Sequence, residues 1–389
     1  MGVRSAISLS EPRTARRVAN LDLTMVGATL VTAVLGVVMV YTGSRATAAS
    51  LGLSRHYFLE RQAIFVLLGV IVMVVLAAID YRRIELVGMI AYGLSIGGLL
   101  GVFVIGHSAQ GAGRWISLGP IEIQPSEVAI VGLIVALATF VARRIDGLSW
   151  SDLVRMLIMA AVPILLVLVQ PDLGTAIIMA VVLVVMLAIA GVPLRTLALL
   201  AIGAALVLFA AVEVGPKVGL LHGYQLSRLG SFLHQNSHAK NLQAAVYNTK
   251  QSKLAIGAGG LFGKGILHGS QTNNGYVPEQ QTDFIFSAVG EQLGFLGSTV
   301  LLGLLATISW RLMRNAQLAR DVFGRMLCAG AFAFVAFSTF QNAGMAMGIM
   351  PVAGVPLPFV SYGGSATVCF FAVVGVAVSV RRHRGRRGY

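Results

Sequence analysis

Residues 251–292, QSKLAIGAGGLFGKGILHGSQTNNGYVPEQQTDFIFSAVGEQ, form a polar, glycine-rich stretch set between apolar runs of membrane-helix length. Runs of roughly 20 apolar residues are long enough to cross the hydrocarbon core of a bilayer. The stretch between them concentrates groups that a bilayer excludes: Lys253, Lys264, Glu279, Asp283 and Glu291. A charge held at membrane depth is costly, which makes each of these a functional candidate. Asp283 is the foremost.

The composition agrees. Of 389 residues, 57% are hydrophobic and 11% charged, with a mean hydropathy of +0.83; soluble domains carry about 25% charge. The fold class is therefore all-α and polytopic, with ten spans expected near 22–42, 62–79, 86–105, 126–142, 156–171, 174–191, 196–214, 287–310, 326–346 and 363–380. Arg13, Arg16 and Arg17 precede the first span, and Arg381, Arg382, Arg384, Arg386 and Arg387 follow the last, which puts both termini in the cytoplasm. Arg82, Arg83, Arg143, Arg144, Arg155, Arg195, Arg311, Arg314, Arg320 and Arg325 then fall on the inner side. The chain divides into a cytoplasmic tail (1–20), one transmembrane domain (21–380) and a basic cytoplasmic tail (381–389), with a large outer loop (215–286) between spans seven and eight.

A net charge of +14 and a pI near 10.5 reflect this topology and attraction to anionic membrane lipid. No basic run is interleaved with aromatics as single-strand binding requires, so no nucleic-acid partner is expected. The first apolar run, starting near Leu21, is long enough to remain as an anchor. Cys328 and Cys369 lie in spans and read as small buried hydrophobes.

Polar chemistry gathers in the outer loops at 43–61, 106–125, 215–286 and 347–362, where the acids cluster, while the interiors of the spans are almost uncharged. GHSAQGAGRWISLGPIEIQPSE (106–127) sets Arg114 and Trp115 beside glycines and ends in Gln124, Pro125, Ser126 and Glu127 at a helix start. Trp115 suits the membrane interface, and Ser126 and Glu127 suit either helix capping or a polar cavity. In VQPDLGTA (169–176), Asp172 suits the cap of the sixth span, on the same surface as Glu127. The long loop should hold surface-lying amphipathic helices. Within it, Tyr224, Arg228 and Phe232 recur at helical spacing, a structural stripe from which Arg228 also suits phosphate. GAGGLFGKG (257–265) allows close backbone approach and supplies N–H groups for an anion. MGIMPVAGVPLPFVSYGGS (347–365), with Pro351, Pro356 and Pro358 ahead of Ser361, Tyr362, Gly363, Gly364 and Ser365, does not form regular helix and reads as a wall of an outward cavity.

Taken together, the ordered motifs GAGRWISLGPIEIQPSE, QPDLGTA, VPEQQTDFIF and GVPLPFVSYGGS resemble the SEDS family (shape, elongation, division and sporulation) of polytopic peptidoglycan glycosyltransferases, along almost the whole chain. Lys253 and the GKG at 263–265 are more similar to the elongation branch, RodA, than to the division branch, FtsW. The resemblance implies polymerisation of lipid II at the outer face of the cytoplasmic membrane, with release of undecaprenyl pyrophosphate. Asp283 falls on the family's essential aspartate, implying a general base on the acceptor sugar 4-hydroxyl, its pKa raised by partial desolvation; the competing role is an N-cap of the eighth span. Arg114, Arg228, Lys253 and Lys264 are candidates to meet the departing pyrophosphate. A divalent cation, Mg2+ or Mn2+, bridging Asp283 and phosphate is the one cofactor this chemistry admits, although no sequence feature demands it. Glu291 matches the family's second acidic position and is expected to support Asp283. The implied partner is a class B penicillin-binding protein, the transpeptidase that crosslinks the strands.

The chain departs from the family pattern in two places. Ile130 stands where lysine usually follows the QPSE motif, which removes the cation expected to pair with Glu127. Gln292 stands where many members have glutamate, and 231–248 lacks the usual acidic Asp-Pro stretch. Two other functions compete: a lipid II flippase or transporter, and a non-catalytic scaffold of the cell-wall machinery. A transporter calls for ionisable groups near the midplane of several spans, and a scaffold has no use for Asp283 in its PE..TDF setting.

Overall fold

A computed structural model describes residues 22–105, 107–109, 112–118, 121–144, 147–203 and 243–384. In chain order the principal helices are α1 (Leu23–Gly43), α2 (Tyr57–Ala78), α3 (Arg82–Ile105), α4 (Pro125–Ala142), α5 (Trp150–Val169), α6 (Leu173–Ile189), α7 (Leu194–Gly203), α8 (Gln243–Ala258), α9 (Ile285–Leu318), α10 (Val322–Met347) and α11 (Gly364–Arg382). Eight of them, α1 to α5 and α9 to α11, are long and apolar enough to cross a membrane. The 17-residue α6 and the start of α7 take the places of the expected sixth and seventh spans. The remainder of the seventh span, the Tyr224/Arg228/Phe232 stripe and residues 1–21 and 385–389 lie outside the described residues.

Helix is interrupted by one small sheet that the all-helical reading passed over. Strands β1 (His107–Ala109), β2 (Ala112–Leu118) and β3 (Ile121–Ile123) pair antiparallel in that order, with Trp115 opposite His107 and Ile116 opposite Ile123. Its local cause is the period-two placing of Ile116, Leu118, Ile121 and Ile123, a strand pattern inside a loop.

Close packing between spans is set by small residues, since apolar area gives no net drive for helix association inside lipid. A Cβ on Gly375 of α11 would come 2.6 Å from the Met73 carbonyl of α2, and one on Gly132 of α4 would come 2.7 Å from Ser95 Oγ of α3. The outward faces carry exposed leucine and valine, Val104 at 87% for example, as lipid-facing helices should.

At the expected cytoplasmic end, acids and arginines neutralise each other. Asp22 caps α1 through Met25 N and pairs with Arg311 Nη2 at 2.6 Å and Arg381 Nη1 at 3.2 Å. Asp321 caps α10 and meets Arg82 Nε at 3.3 Å, and Asp152, in the capping box of α5, meets Arg144 Nε at 2.9 Å. Acids therefore sit at both ends of the bundle, a correction to their expected outer clustering. Arg311 and Arg314 also move from loop to helix, because α9 runs on to Leu318 and delivers Arg311, now buried, to Asp22.

Near its outer end α9 is broken at Gly294 (φ 68°, ψ −165°). The glycine-rich loop at 259–265 fills the break. Lys264 N and Gly265 N donate to the carbonyls of Glu291 and Gln292, at 2.9 and 3.0 Å, while Phe295 N and Leu296 N donate to those of Gly260 and Leu261, at 2.9 and 3.1 Å. Groups freed by the break thus pair inside the protein, as backbone at membrane depth must. Glycine is required on both sides, since a Cβ at Gly263 would lie 2.2 Å from Gln292 O and one at Gly294 would lie 2.2 Å from Gly263 N.

The alternation of helices makes a direct test available. Asn274 and Arg384 are exposed at opposite ends, and the two native cysteines are buried. In spheroplasts, a cysteine replacing Asn274 should react with a membrane-impermeant maleimide, and one replacing Arg384 should react only after permeabilisation. Labelling of both from outside would break the topology.

Candidate active site

The segment 277–284, VPEQQTDF, arrives at α9 between two buried anchors, Val277 and Phe284. Hydrogen bonds from three elements fix its path. Asn342 of α10 donates through Nδ2 to the Asp283 carbonyl at 2.8 Å and to the Val355 carbonyl at 2.7 Å. Ser361 Oγ donates to Thr282 O at 2.6 Å and accepts from Leu357 N at 2.8 Å. Tyr362 N donates to Gln281 O at 2.9 Å. Asp283 itself is half-buried, and the N-cap of α9 is Phe284, with no side-chain cap bond, so the capping role weighed for Asp283 is not realised. Glu279, also half-buried, takes the left-handed conformation (φ 50°) and accepts from Thr282 Oγ1 at 3.3 Å.

The opposing wall is the proline-rich loop at 351–363. It lies against glycines of two helices: a Cβ on Gly36 of α1 would come 2.5 Å from Phe359 O, and one on Gly174 of α6 would come 2.3 Å from Ala353 O. Phe359, fully buried, is held at φ 65°, a conformation that bulky residues adopt only under surrounding constraint. Gln62, a polar residue inside α2, donates to Ser361 O at 3.2 Å and accepts from Gly363 N at 3.4 Å. The Tyr362 ring meets Phe58 edge-on at 5.1 Å, and burial raises its hydroxyl above the ordinary phenol range, so it stays neutral. Gly364 lies against the Phe65 ring, 2.9 Å from where a Cβ would be.

Four residues beyond Ser361, Ser365 Oγ accepts from Gln124 N at 3.2 Å and opens a second polar cluster. Gln124 Nε2 donates to Ser126 Oγ (3.0 Å) and to Asp172 Oδ2 (2.9 Å), and Ser126 Oγ donates to the same Asp172 oxygen at 3.2 Å. Asp172 caps α6 through Thr175 N and also accepts from Thr175 Oγ1 at 2.9 Å. Glu127 is 2% exposed and its Oε2 has no hydrogen-bond partner; neither it nor Ser126 caps α4. Ile130 is fully buried one turn on. SYGGS, 361–365, therefore joins the Asp283 segment to the Glu127–Asp172 cluster over at most about 14 Å of chain.

Other expected site residues are placed elsewhere. Glu291, fully buried, is occupied by the 264–272 loop: it accepts from Gln271 N and Thr272 N at 2.8 Å each, from Thr272 Oγ1 at 2.6 Å, and from Lys264 Nζ at 3.3 Å. It anchors that loop instead of supporting Asp283, and it takes up the charge of Lys264. Gln292 accepts from Leu267 N at 3.1 Å, a task its amide oxygen performs without charge. Lys253 is exposed on α8, Trp115 is half-buried on β2 with Arg114 preceding it in the strand, and Arg228 lies outside the described residues. Sequence reasoning missed Asn342 and Gln62. Both stand in the sequence as polar but uncharged residues inside apolar spans, a weaker signal than a charge at membrane depth.

Replacing Asn342 by alanine leaves two buried carbonyls unpaired, at about 1–3 kcal/mol each. Asn342→Ala should lower the melting temperature clearly in detergent, whereas Ser338→Ala, at a buried hydroxyl of the same helix without a partner, should leave it nearly unchanged. Equal effects would remove Asn342 from its clamping role.

Residues 22–386 match a family model described as cell cycle protein, of the FtsW, RodA and SpoVE type. The chain is similar to the peptidoglycan glycosyltransferase MrdB of Escherichia coli (strain K12), with 38% identity over 326 residues, 84% of this chain and 86% of that protein. It is 34% identical over 374 residues, 94% of each chain, to a probable peptidoglycan glycosyltransferase FtsW of Trichlorobacter lovleyi. In three dimensions it resembles a chain from work on structural coordination of polymerization and crosslinking by a peptidoglycan synthase complex, with a TM-score of 0.77 and 29% identity over 94% of this chain and 99% of the other.

Proposed function

The chain belongs to the cell cycle protein family of FtsW, RodA and SpoVE, and on that premise we propose that it is a peptidoglycan glycosyltransferase of the bacterial cytoplasmic membrane. It polymerises lipid II into β-1,4 glycan strands at the outer face, in cell elongation and shape. The elongation role is supported by a higher identity to MrdB (38%) than to FtsW (34%). The observation that carries the activity is Asp283 itself: a half-buried carboxylate on a segment fixed by Asn342 and Ser361 against the irregular wall that carries Tyr362.

In the proposed reaction Asp283 accepts the proton of the acceptor sugar 4-hydroxyl as that oxygen bonds to the anomeric carbon of the donor. The bond from that carbon to pyrophosphate breaks, and undecaprenyl pyrophosphate leaves with the electron pair. Holding the base by backbone hydrogen bonds keeps it in place before substrate binds, which is where positioned proton transfer gains its advantage. Positive charge for the leaving group comes from the exposed Lys253 and the arginines of the outer loops. No cluster of three metal-binding side chains occurs among the described residues; a divalent cation, Mg2+ or Mn2+, would have Asp283 and pyrophosphate oxygens as ligands, a pattern Mg2+ accepts, and would supply charge neutralisation. A class B penicillin-binding protein as crosslinking partner is supported by the likeness to a chain of a peptidoglycan synthase complex.

Asp283→Asn removes the base and preserves shape. Purified variant given lipid II, with and without such a partner, should form less glycan polymer on gels by at least about 10²-fold, at an unchanged melting temperature. Full polymerisation by the variant would remove Asp283 from the mechanism. A melting-temperature loss in parallel with activity would assign it a structural role.

A further inference from the structure

Among the described residues, the buried carboxylate of Glu127 has no charge to balance it. It is 2% exposed, Oε2 has no hydrogen-bond partner, and no ion pair to it occurs among the described residues. Its helix, α4, packs against the helices α3, α5, α6, α10 and α11 and against strand β2, whose Arg114 side chain lies outside the described residues. The cations of those helices, Arg82 and Arg83, Arg155, Arg325, and Arg381 and Arg382, all lie at the opposite, cytoplasmic end. The titratable groups that do face Glu127 are Asp172, at the start of α6, and the Cys369 thiol of α11. Where the SEDS pattern places lysine, the fully buried Ile130 offers only hydrocarbon.

Asp172 is the opposite case. Oδ2 accepts from Gln124 Nε2, Ser126 Oγ and Thr175 Oγ1, and Oδ1 accepts from Thr175 N at 3.3 Å. Its oxygens thus have four donors at a helix N-terminus, and Glu127 has no such set. A second negative charge beside it, desolvated and without donors of its own, is the costlier of the two, and two adjacent carboxylates relieve that cost when one of them holds a proton. Asp172 has few lone pairs left for a metal ion, but Oδ1, with one donor, has room for another.

We infer that Glu127 works in this chain as an uncharged carboxylic acid, a positioning group that shares a single negative charge with Asp172 where a lysine–glutamate pair would otherwise stand. The cluster at the Ser365 end of SYGGS then carries one negative charge in place of two. Anionic pyrophosphate is repelled less by such a wall. The inference concerns the chain's own buried charges and stands whether or not the chain polymerises lipid II.

Infrared difference spectroscopy of the full-length protein at neutral pH reads the protonation state directly. Subtracting the Glu127→Gln spectrum from that of the wild type should leave the carbonyl stretch of a protonated carboxylic acid. Ile130→Lys should lose that band while staying folded, because the introduced ammonium takes up the ionised carboxylate. Ile130→Lys/Glu127→Gln should then melt several degrees below Ile130→Lys, having a buried ammonium without a counter-charge. If Glu127→Gln does not fold, isotope-labelled glutamate in the wild type must shift the band, and Ile130→Lys must abolish it. A carboxylate signal in place of the acid band, whether from an ionised Glu127 or from a bound cation, overturns the inference, as does a band untouched by Ile130→Lys.

Discussion

Backbone that leaves the helix at bilayer depth has to find its hydrogen-bond partners inside the protein, and every irregular segment around Asp283 depends on meeting that requirement. The break in α9 at Gly294 is closed by the glycine loop at 259–265, whose amides and carbonyls replace the missing helical partners. The turn carrying Asp283 and the proline-rich wall at 351–363 are held together by Asn342 Nδ2, which reaches a carbonyl of each, and by Ser361 Oγ and Tyr362 N, which donate to Thr282 O and Gln281 O. Gln62 does the same for the wall and the start of α11. Without these polar side chains the loops would hold unpaired buried carbonyls, at about 1–3 kcal/mol each.

Rigidity at the site follows from the same arrangement. Glycines at positions 36 and 174 let the backbone of the wall press against α1 and α6, and Phe359 is kept in the left-handed region by its fully buried surroundings. Such a frame spends its strain in the folded state and leaves little to reorganise when a substrate arrives. Charges are sorted to match: arginine–aspartate pairs close the cytoplasmic end, and Lys264–Glu291 ties down the outer loop. Asp283 sits on a backbone fixed by Asn342, next to Thr282, which Ser361 of the wall holds.

Much of this was legible in the sequence, for physical reasons that differ by feature. The spans were readable because hydrocarbon tolerates so few residue types, and the loop carrying Asp283 stood out because it breaks that rule. The role of Glu291 was not readable. Its spacing from Asp283 suggested support, but its partners, Lys264 and the amides of Gln271 and Thr272, are brought to it by a loop that folds back across the helix break. The extension of α9 past position 310 was hidden because Arg311 reads as a loop residue until its partner, Asp22, is known. The sheet at 107–123 is built of three short strands, and its period-two pattern covers only four residues of a loop in a chain otherwise built of helices. The absence of lysine at 130 was visible at once, but its consequence required knowing that Ile130 and Glu127 are both buried.

The central claim is that the Asp283 carboxylate meets the hydroxyl that reacts. The most direct measurement is an electron cryomicroscopy structure of the full-length protein with lipid II bound. The account predicts the acceptor 4-hydroxyl oxygen at about 2.6–3.2 Å from a carboxylate oxygen of Asp283, with the donor pyrophosphate on the far side of the anomeric carbon. An acceptor hydroxyl out of reach of Asp283, and within reach of another base, would contradict it.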